Sequence, residues 1–171
     1  MRKLITSGAA LTLLAAIASF AAERTRIKIT SSAFKEGGDI PPKFTRKGSN
    51  TSPPLQIAGV PSEAKSLVLI ADDPDAPSGL FTHWLIWNIP PQTTSISEGS
   101  GPKGVHGAND FGKSDYKGPC PPTGTHRYSF KIFALDRELN LRGGAKRSQV
   151  DAGMKGHVIA QGELIGRYAS K

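Results

Sequence analysis

Three short segments hold the side chains that could do chemistry: an acidic turn at 72–77, an apolar run that opens on a histidine at 83–89, and a proline-rich segment at 119–128. The prolines of the turn would hold its carboxylates rigidly. Strand periodicity puts His126 and Tyr128 on one face, where an imidazole and a phenol can donate hydrogen bonds to one anion. A carboxylate such as Asp73 could orient a histidine and raise its proton affinity. These residue types indicate a site for a small anion.

The same residues leave two other chemistries open. His83, His126 and Asp73 are the donor types of a facial metal site, but no His-x-His or HExxH pattern supports one, so we expect no metal. Cys120 is a candidate nucleophile with His126 as its base. It lies between two prolines, however, and no feature of the sequence places an oxyanion hole beside it. We therefore expect no catalytic residue, no enzyme activity and no cofactor.

Short segments separated by breakers must position these residues, because 19 Gly and 13 Pro divide the chain. The predicted strands are 26–30, 66–71, 83–89, 126–133 and 157–165. Helix is the minority element: residues 148–155 carry helix signals, with Ser148 as the N-cap and Gly156 as the stop. We predict a mainly β fold, a sandwich with one or two short helices. The stretch 91–125 is long for a plain loop, and connections of that length tend to be functional.

The first residues are typical of an export leader. Met1-Arg2-Lys3 is a short basic region, residues 4–18 are almost continuously apolar, and Ser19-Phe20-Ala21 offers small residues for a signal peptidase. The apolar run is too short to span a membrane comfortably. We predict a cleaved signal peptide at 1–21, a single domain at 22–171, and a periplasmic or secreted location. Cys120 is the one cysteine of the sequence, so no intramolecular disulfide is expected.

The chain is basic, with a formal net charge of +8. Loss of the two basic residues of the leader would leave an excess of six, which favours small anions and peripheral contact with an anionic membrane. It does not indicate nucleic acid, because the densest basic group, Arg142 with Lys146 and Arg147, has no interleaved aromatic residues. The sequence leaves a homodimer open.

Two blocks resemble the signatures of the phosphatidylethanolamine-binding protein (PEBP) family. The segment 69–77 followed by 83–90 resembles the first, and Tyr116 with 118–128 resembles the second. Segments that resemble the family at 48–55 and 156–168 follow the same order, so the resemblance covers nearly all of the predicted mature chain. The Cys-Pro-Pro form of the second block, and an end just after Gly-Arg-Tyr at 166–168, resemble the bacterial Raf-kinase-inhibitor-like branch.

This resemblance implies a large antiparallel sheet packed on a smaller sheet, and a pocket that accepts phosphate, acetate or a phospholipid headgroup. Carried over residue by residue, the pocket comprises Asp73, His83, Gly118, Pro121, His126 and Tyr128, with Pro74, Asp75 and Cys120 in its wall. Two positions depart from the family pattern: Lys47 stands where an acidic residue is frequent, and Ile57 stands where Trp is common.

The predicted function is therefore non-catalytic binding of a small anion or a phospholipid headgroup. An alternative, an activity also known in the family, is an exported inhibitor or regulator of a protease or another envelope protein. In that case a protein partner would contact the long segment 91–125.

Overall fold

A computed structural model of the protein describes residues 25–170. The predicted leader, residues 1–21, lies outside them. The described chain forms nine strands, an α-helix and a short 3-10 helix. They are β1 (Thr25–Arg26), β2 (Lys28–Thr30), the 3-10 helix (Pro42–Phe44), β3 (Leu55–Ala58), β4 (Ser66–Asp73), β5 (Phe81–Ile89), β6 (Ser95–Ile96), β7 (Val105–His106), β8 (Thr125–Leu135), α1 (Arg147–Met154) and β9 (Val158–Ala169). Within this part of the chain, no helix is long and apolar enough to cross a membrane.

The strands form two sheets. The large sheet has the order β1-β9-β8-β4-β5-β7, and the small sheet has the order β2-β3-β6. Every pairing is antiparallel except that of β1 with β9, which is parallel and closes one edge of the large sheet. This confirms the predicted mainly β fold, in which a large sheet packs on a smaller one.

β4 is buried along its whole length because both faces of the large sheet are covered at its centre. Alternate side chains such as Leu67 and Leu69 pack toward the small sheet in one core cluster. The residues between them, such as Val68, pack with Val150 of α1 in a second cluster. Full burial of such side chains contributes about 1.5–3 kcal/mol each. β4 is therefore a rigid base for the acidic turn that follows it.

Three local predictions differ from the structure. The strand predicted at 26–30 is split, because β1 pairs in the large sheet and β2 in the small one. The helix begins at Arg147 instead of Ser148, and its N-terminus is capped differently: the Gln149 side chain accepts a hydrogen bond from the Lys146 backbone N–H at 2.9 Å. The long segment 91–125 contains two short strands, β6 and β7, so it is held to both sheets.

Candidate functional site

A β-bulge between β4 and β5 places the His83 side chain in the candidate site. Between Ala71 and Asp72 of β4 the pairing with β5 skips one residue, His83. Thr82 still faces the Asp72 side, and its hydroxyl donates to Asp72 Oδ1 at 3.1 Å. The His83 ring instead packs edge-on against Tyr128 of β8, with ring centroids 5.3 Å apart. An extra residue in one strand turns side chains in this way, and it brings His83 to the face that carries Tyr128.

Asp73 and His126 form a buried pair on that face. His126 Nδ1 lies 2.8 Å from Asp73 Oδ2, and the two residues are only 7% and 4% exposed. A carboxylate can only accept a hydrogen bond, so Nδ1 carries the proton. The other oxygen of Asp73 accepts the backbone N–H of Asp75 at 2.9 Å. The turn after β4 thus fixes the carboxylate, and the carboxylate fixes the imidazole.

The His83 ring is oriented by a carbonyl. Its Nδ1 lies 2.7 Å from the carbonyl oxygen of Lys117, which can only accept, so this nitrogen also carries a proton. The ring contacts Phe81 and Phe111 edge-on, at centroid distances of 5.3 and 5.4 Å. Burial lowers the pKa of His83, against the opposite effects of the Lys117 carbonyl and the Asp73 charge. His83 is therefore a neutral imidazole at pH 7.

Tyr128 brings a buried hydroxyl that is unsatisfied. The residue is 2% exposed, and its hydroxyl has no hydrogen-bond partner within residues 25–170. Burial raises the pKa of Tyr128, and the negative charge of nearby Asp73 raises it further although the two groups are not in hydrogen-bonding geometry. The phenol therefore keeps its proton, and within residues 25–170 it is a donor without an acceptor.

The proline-rich segment reaches the site through close backbone contact. A Cβ on Gly118 would collide with the backbone of Phe44, so only glycine fits at this approach. The Gly118 N–H donates to Asn50 Oδ1 at 2.8 Å, so this N–H is not available to an anion. Pro121 is buried, and Cys120 is half-buried with its backbone and thiol near the Tyr128 hydroxyl.

The structure brings four of the predicted residues together. They are Asp73, His83, His126 and Tyr128, hereafter the His/Asp/Tyr cluster. Asp75 lies at its rim, where both carboxylate oxygens bind the Arg127 guanidinium, at 2.6 and 2.9 Å. Pro74 is exposed beside it.

Sequence reasoning missed two neighbours of the cluster. Phe111 packs on the His83 ring, and the Arg46 guanidinium lies 4.9 Å from the centre of the Phe111 ring. No short motif marks either residue. Both come from loops whose path depends on the 3-10 helix and on the segment between β7 and β8.

In the described part of the chain, no group of three or more His, Cys, Asp and Glu side chains is placed to hold a metal ion. A cavity of about 540 Å³ has Trp84, His106 and Tyr116 among its lining residues, and none of its lining residues belongs to the cluster.

Comparison with known proteins shows the family of the chain. The family model described as phosphatidylethanolamine-binding protein matches residues 30–169. The chain belongs to the phosphatidylethanolamine-binding protein family. A UPF0098 protein of Methanothermobacter thermautotrophicus is 50% identical over 148 residues, which are 83% of this chain and 98% of that protein. A UPF0098 protein of Pyrococcus horikoshii is 48% identical over 159 residues, 87% of this chain and 79% of that protein.

Two solved structures resemble the PEBP fold seen here. The structure described as a putative PEBP homologue from Chlamydia trachomatis superposes with a TM-score of 0.82 at 41% identity, and covers 86% of this chain and 99% of that one. Escherichia coli YbcL, described as a new member of the mammalian PEBP family, gives a TM-score of 0.80 at 32% identity, and covers 85% of this chain and 99% of that one.

Proposed function

We propose that the protein binds a small anion, such as phosphate, acetate or a phospholipid headgroup, at the His/Asp/Tyr cluster, and that it does so without catalysis. The observation that carries this proposal is the buried Tyr128 hydroxyl, which has no partner within residues 25–170. A buried polar group without a partner costs about 1–3 kcal/mol. A ligand oxygen that accepts this hydrogen bond would remove that cost.

The His126 imidazole is the second donor in this proposal. Its Nδ1 is held by Asp73 at 2.8 Å, which leaves Nε2 for a ligand. A proton on Nε2 would make the ring an imidazolium that is paired with a carboxylate on one side and with the anion on the other. The name of the matched family model, phosphatidylethanolamine-binding protein, supports a ligand that contains a phosphate.

The same contacts support a binding role over an enzymatic one. In a nucleophile–base–carboxylate triad the free ring nitrogen of the histidine must contact the nucleophile. The Nδ1 atoms of His126 and His83 bond Asp73 and the Lys117 carbonyl, and within residues 25–170 no hydrogen bond joins either ring to the Cys120 thiol. We therefore assign Cys120 to the wall of the site.

Titration calorimetry with inorganic phosphate, acetate and a glycerophosphodiester tests the proposal. We expect binding by the wild type and a loss of about 1.5–3 kcal/mol in His126→Ala, the scale of a charge-assisted hydrogen bond. The matched control is His157→Ala. His157 also pairs with an aspartate, Asp136, at 2.9 Å, but Asp136 follows the end of β8 whereas His126 lies at its start. The control should bind as the wild type does. Absence of binding for all three probes, or equal losses in the two variants, would contradict the proposal.

A regulatory role through residues 91–125, and export by the leader, both remain predictions from the sequence. A regulator that contacts its partner through that segment should keep its activity in His126→Ala, since the substitution is outside the contact surface.

A further inference from the structure

The cavity of about 540 Å³ is separate from the His/Asp/Tyr cluster. Its wall comes from loops at 50–52, 99–101 and 114–116, and from two strands, β5 through Trp84 and β7 through His106. Sites for small molecules in proteins have volumes of about 300–1,000 Å³. The cavity is therefore large enough for an organic molecule, and the proposed anion site makes no use of it.

The indole N–H of Trp84 opens on this cavity without a partner. Trp84 is only 2% exposed. Within residues 25–170 the unpaired side-chain polar atoms that are fully enclosed belong to Trp87 and Tyr128. Trp84 Nε1 also has no hydrogen bond there but is not enclosed, so it contacts the open space that Trp84 lines, which is the cavity. An indole N–H can only donate, so the wall presents a donor that needs an acceptor.

Ser52 is the second buried polar residue of this wall. It is 5% exposed, and its backbone carbonyl accepts the Gly99 N–H at 3.0 Å. Its hydroxyl has no hydrogen bond within residues 25–170 and, like Trp84 Nε1, is not enclosed. His106 Nδ1 donates to the Ser114 carbonyl at 3.2 Å, so Nε2 of the neutral ring is an acceptor. The wall thus offers a donor, an acceptor and a hydroxyl that can act as either.

Charge and apolar surface narrow the class of ligand. Among the lining residues within 25–170, Asp115 alone is charged, and the Lys117 ammonium binds its carboxylate at 2.8 Å. An anion would therefore meet a carboxylate and no basic lining residue, and a cation would compete with Lys117. Trp84 and Tyr116 pack edge to face with ring centroids 5.4 Å apart, and they add apolar surface to the wall. Such a wall suits an uncharged molecule that has both hydroxyl groups and C–H surface.

We propose that this cavity is a second binding site, and that its ligand is a neutral saccharide. A sugar hydroxyl both donates and accepts, so it can pair with the Trp84 N–H, with His106 Nε2 and with the Ser52 hydroxyl. The C–H groups of the sugar ring can pack on the apolar surface of the aromatic pair. This inference goes beyond the proposed anion binding and does not depend on it, because the two sites share no residue.

The two tryptophans provide an internal control for the test. Trp84 lines the cavity, whereas the Trp87 N–H is enclosed in the core cluster on the other face of the large sheet. Each gives its own indole N–H signal in a proton–nitrogen NMR spectrum. Titration of the protein with glucose, N-acetylglucosamine and maltose to about 30 mM covers dissociation constants in the millimolar range. We expect at least one of these sugars to shift the Trp84 signal to saturation and to leave the Trp87 signal in place.

Ser52→Ala tests whether that sugar lies in the cavity. The substitution removes one hydroxyl and keeps the contact with Gly99, because that contact uses the backbone carbonyl. We expect the affinity to fall about fivefold, the scale of one neutral hydrogen bond. The matched control is Ser97→Ala, which removes an exposed hydroxyl from the same loop as Gly99 but outside the lining, and it should bind the sugar as the wild type does.

A Trp84 signal that none of the three sugars moves would overturn the inference, and would mean that water alone pairs with these groups. Equal losses of affinity in Ser52→Ala and Ser97→Ala would also overturn it, because the sugar would then lie elsewhere. Inorganic phosphate is the charged probe, and a larger shift of the Trp84 signal with phosphate than with any sugar would exclude the neutral ligand class. None of these results would decide the proposed function, which His126→Ala tests.

Discussion

Asp72 and Asp73 are adjacent in β4 and both are buried, yet they lie on opposite faces of the large sheet. Asp72 is fully enclosed and saturated: one nitrogen of Arg147 lies 2.6 and 2.7 Å from its two oxygens. The hydroxyl of Thr82 and the ammonium of Lys131 complete its partners, at 3.1 and 3.4 Å. Because Arg147 is the first residue of α1, this carboxylate joins the helix to the sheet.

Asp73 has a different environment. It holds His126 and the turn after β4, but the group next to it, the Tyr128 hydroxyl, is buried without a partner in residues 25–170. The Asp72 carboxylate has all its hydrogen bonds within the protein and holds α1 on the sheet. Beside Asp73, in contrast, a buried hydroxyl in residues 25–170 still lacks a hydrogen-bond partner. Both carboxylates are buried, so burial does not distinguish them; they differ in whether the polar groups beside them have hydrogen-bond partners.

The largest expected effect is on stability, when the Arg147 partner of Asp72 is removed. Arg147→Met should lower the free energy of unfolding by about 3 kcal/mol, since it leaves a buried carboxylate without its main partner. Urea denaturation measures this change. Affinity for phosphate should stay within about twofold of the wild type, because the two aspartates face opposite sides of the sheet. The control Arg142→Met removes an exposed arginine nearby and should change stability by less than about 0.5 kcal/mol.

A loss of phosphate affinity in Arg147→Met as large as that in His126→Ala would contradict the separation of the two faces. A stability change close to that of the control would instead show that the attraction between Asp72 and Arg147 does not exceed the free energy needed to desolvate them.

Much of the fold could be predicted from the sequence because its signals are local. A continuous apolar run predicted β4, and alternation predicted that His126 and Tyr128 share one face, which the structure shows to be buried. The two short strands β6 and β7 and the split of β1 from β2 could not be predicted, because pairing partners far along the chain determine them.

The candidate site was less accessible to sequence reasoning. Its residue types could be named, but strand periodicity alone puts His83 one position away from the face that it occupies. The bulge that corrects this depends on the register of β4 against β5, which no residue pattern shows. The neutral state of His83 was also not predictable, since it follows from burial by Phe81, Phe111 and Tyr128.

A smaller effect is expected on the face of the sheet that carries Asp73, in the pH dependence of stability. The folded-state pKa of His83 is lowered below the ordinary value of 6.5, so its contribution to stability is present above that value. As pH falls from 6.5, the unfolded chain binds a proton that the folded chain does not, and stability is lost at up to about 1.4 kcal/mol per pH unit until the folded pKa is reached. Urea denaturation at pH 7.5 and 5.5 should therefore show a smaller acid-induced loss in His83→Gln than in the wild type.

His106→Gln is the matched control for that measurement. His106 also bonds a carbonyl through Nδ1, that of Ser114 at 3.2 Å, but it is only half-buried. Equal acid-induced losses in the wild type and in His83→Gln would show that burial does not lower the pKa of His83 in the folded protein.

The smallest effect is expected at the rim of the cluster, where Asp75 pairs with Arg127 at an exposed position. Side-chain and backbone hydrogen bonds from Arg127 lower the pKa of Asp75 to about 2, from an ordinary value of 3.8. Its stabilising contribution is therefore present above about pH 4 and is lost as pH falls toward 2, and it is small because solvent screens an exposed pair. A carboxyl titration of Asp75 followed by NMR should have its midpoint near 2, and Arg127→Gln should move it toward 3.8 while leaving the backbone hydrogen bond in place. A wild-type midpoint already near 3.8 would mean that the rim pair does not form in solution, and that Asp73 alone anchors the acidic turn.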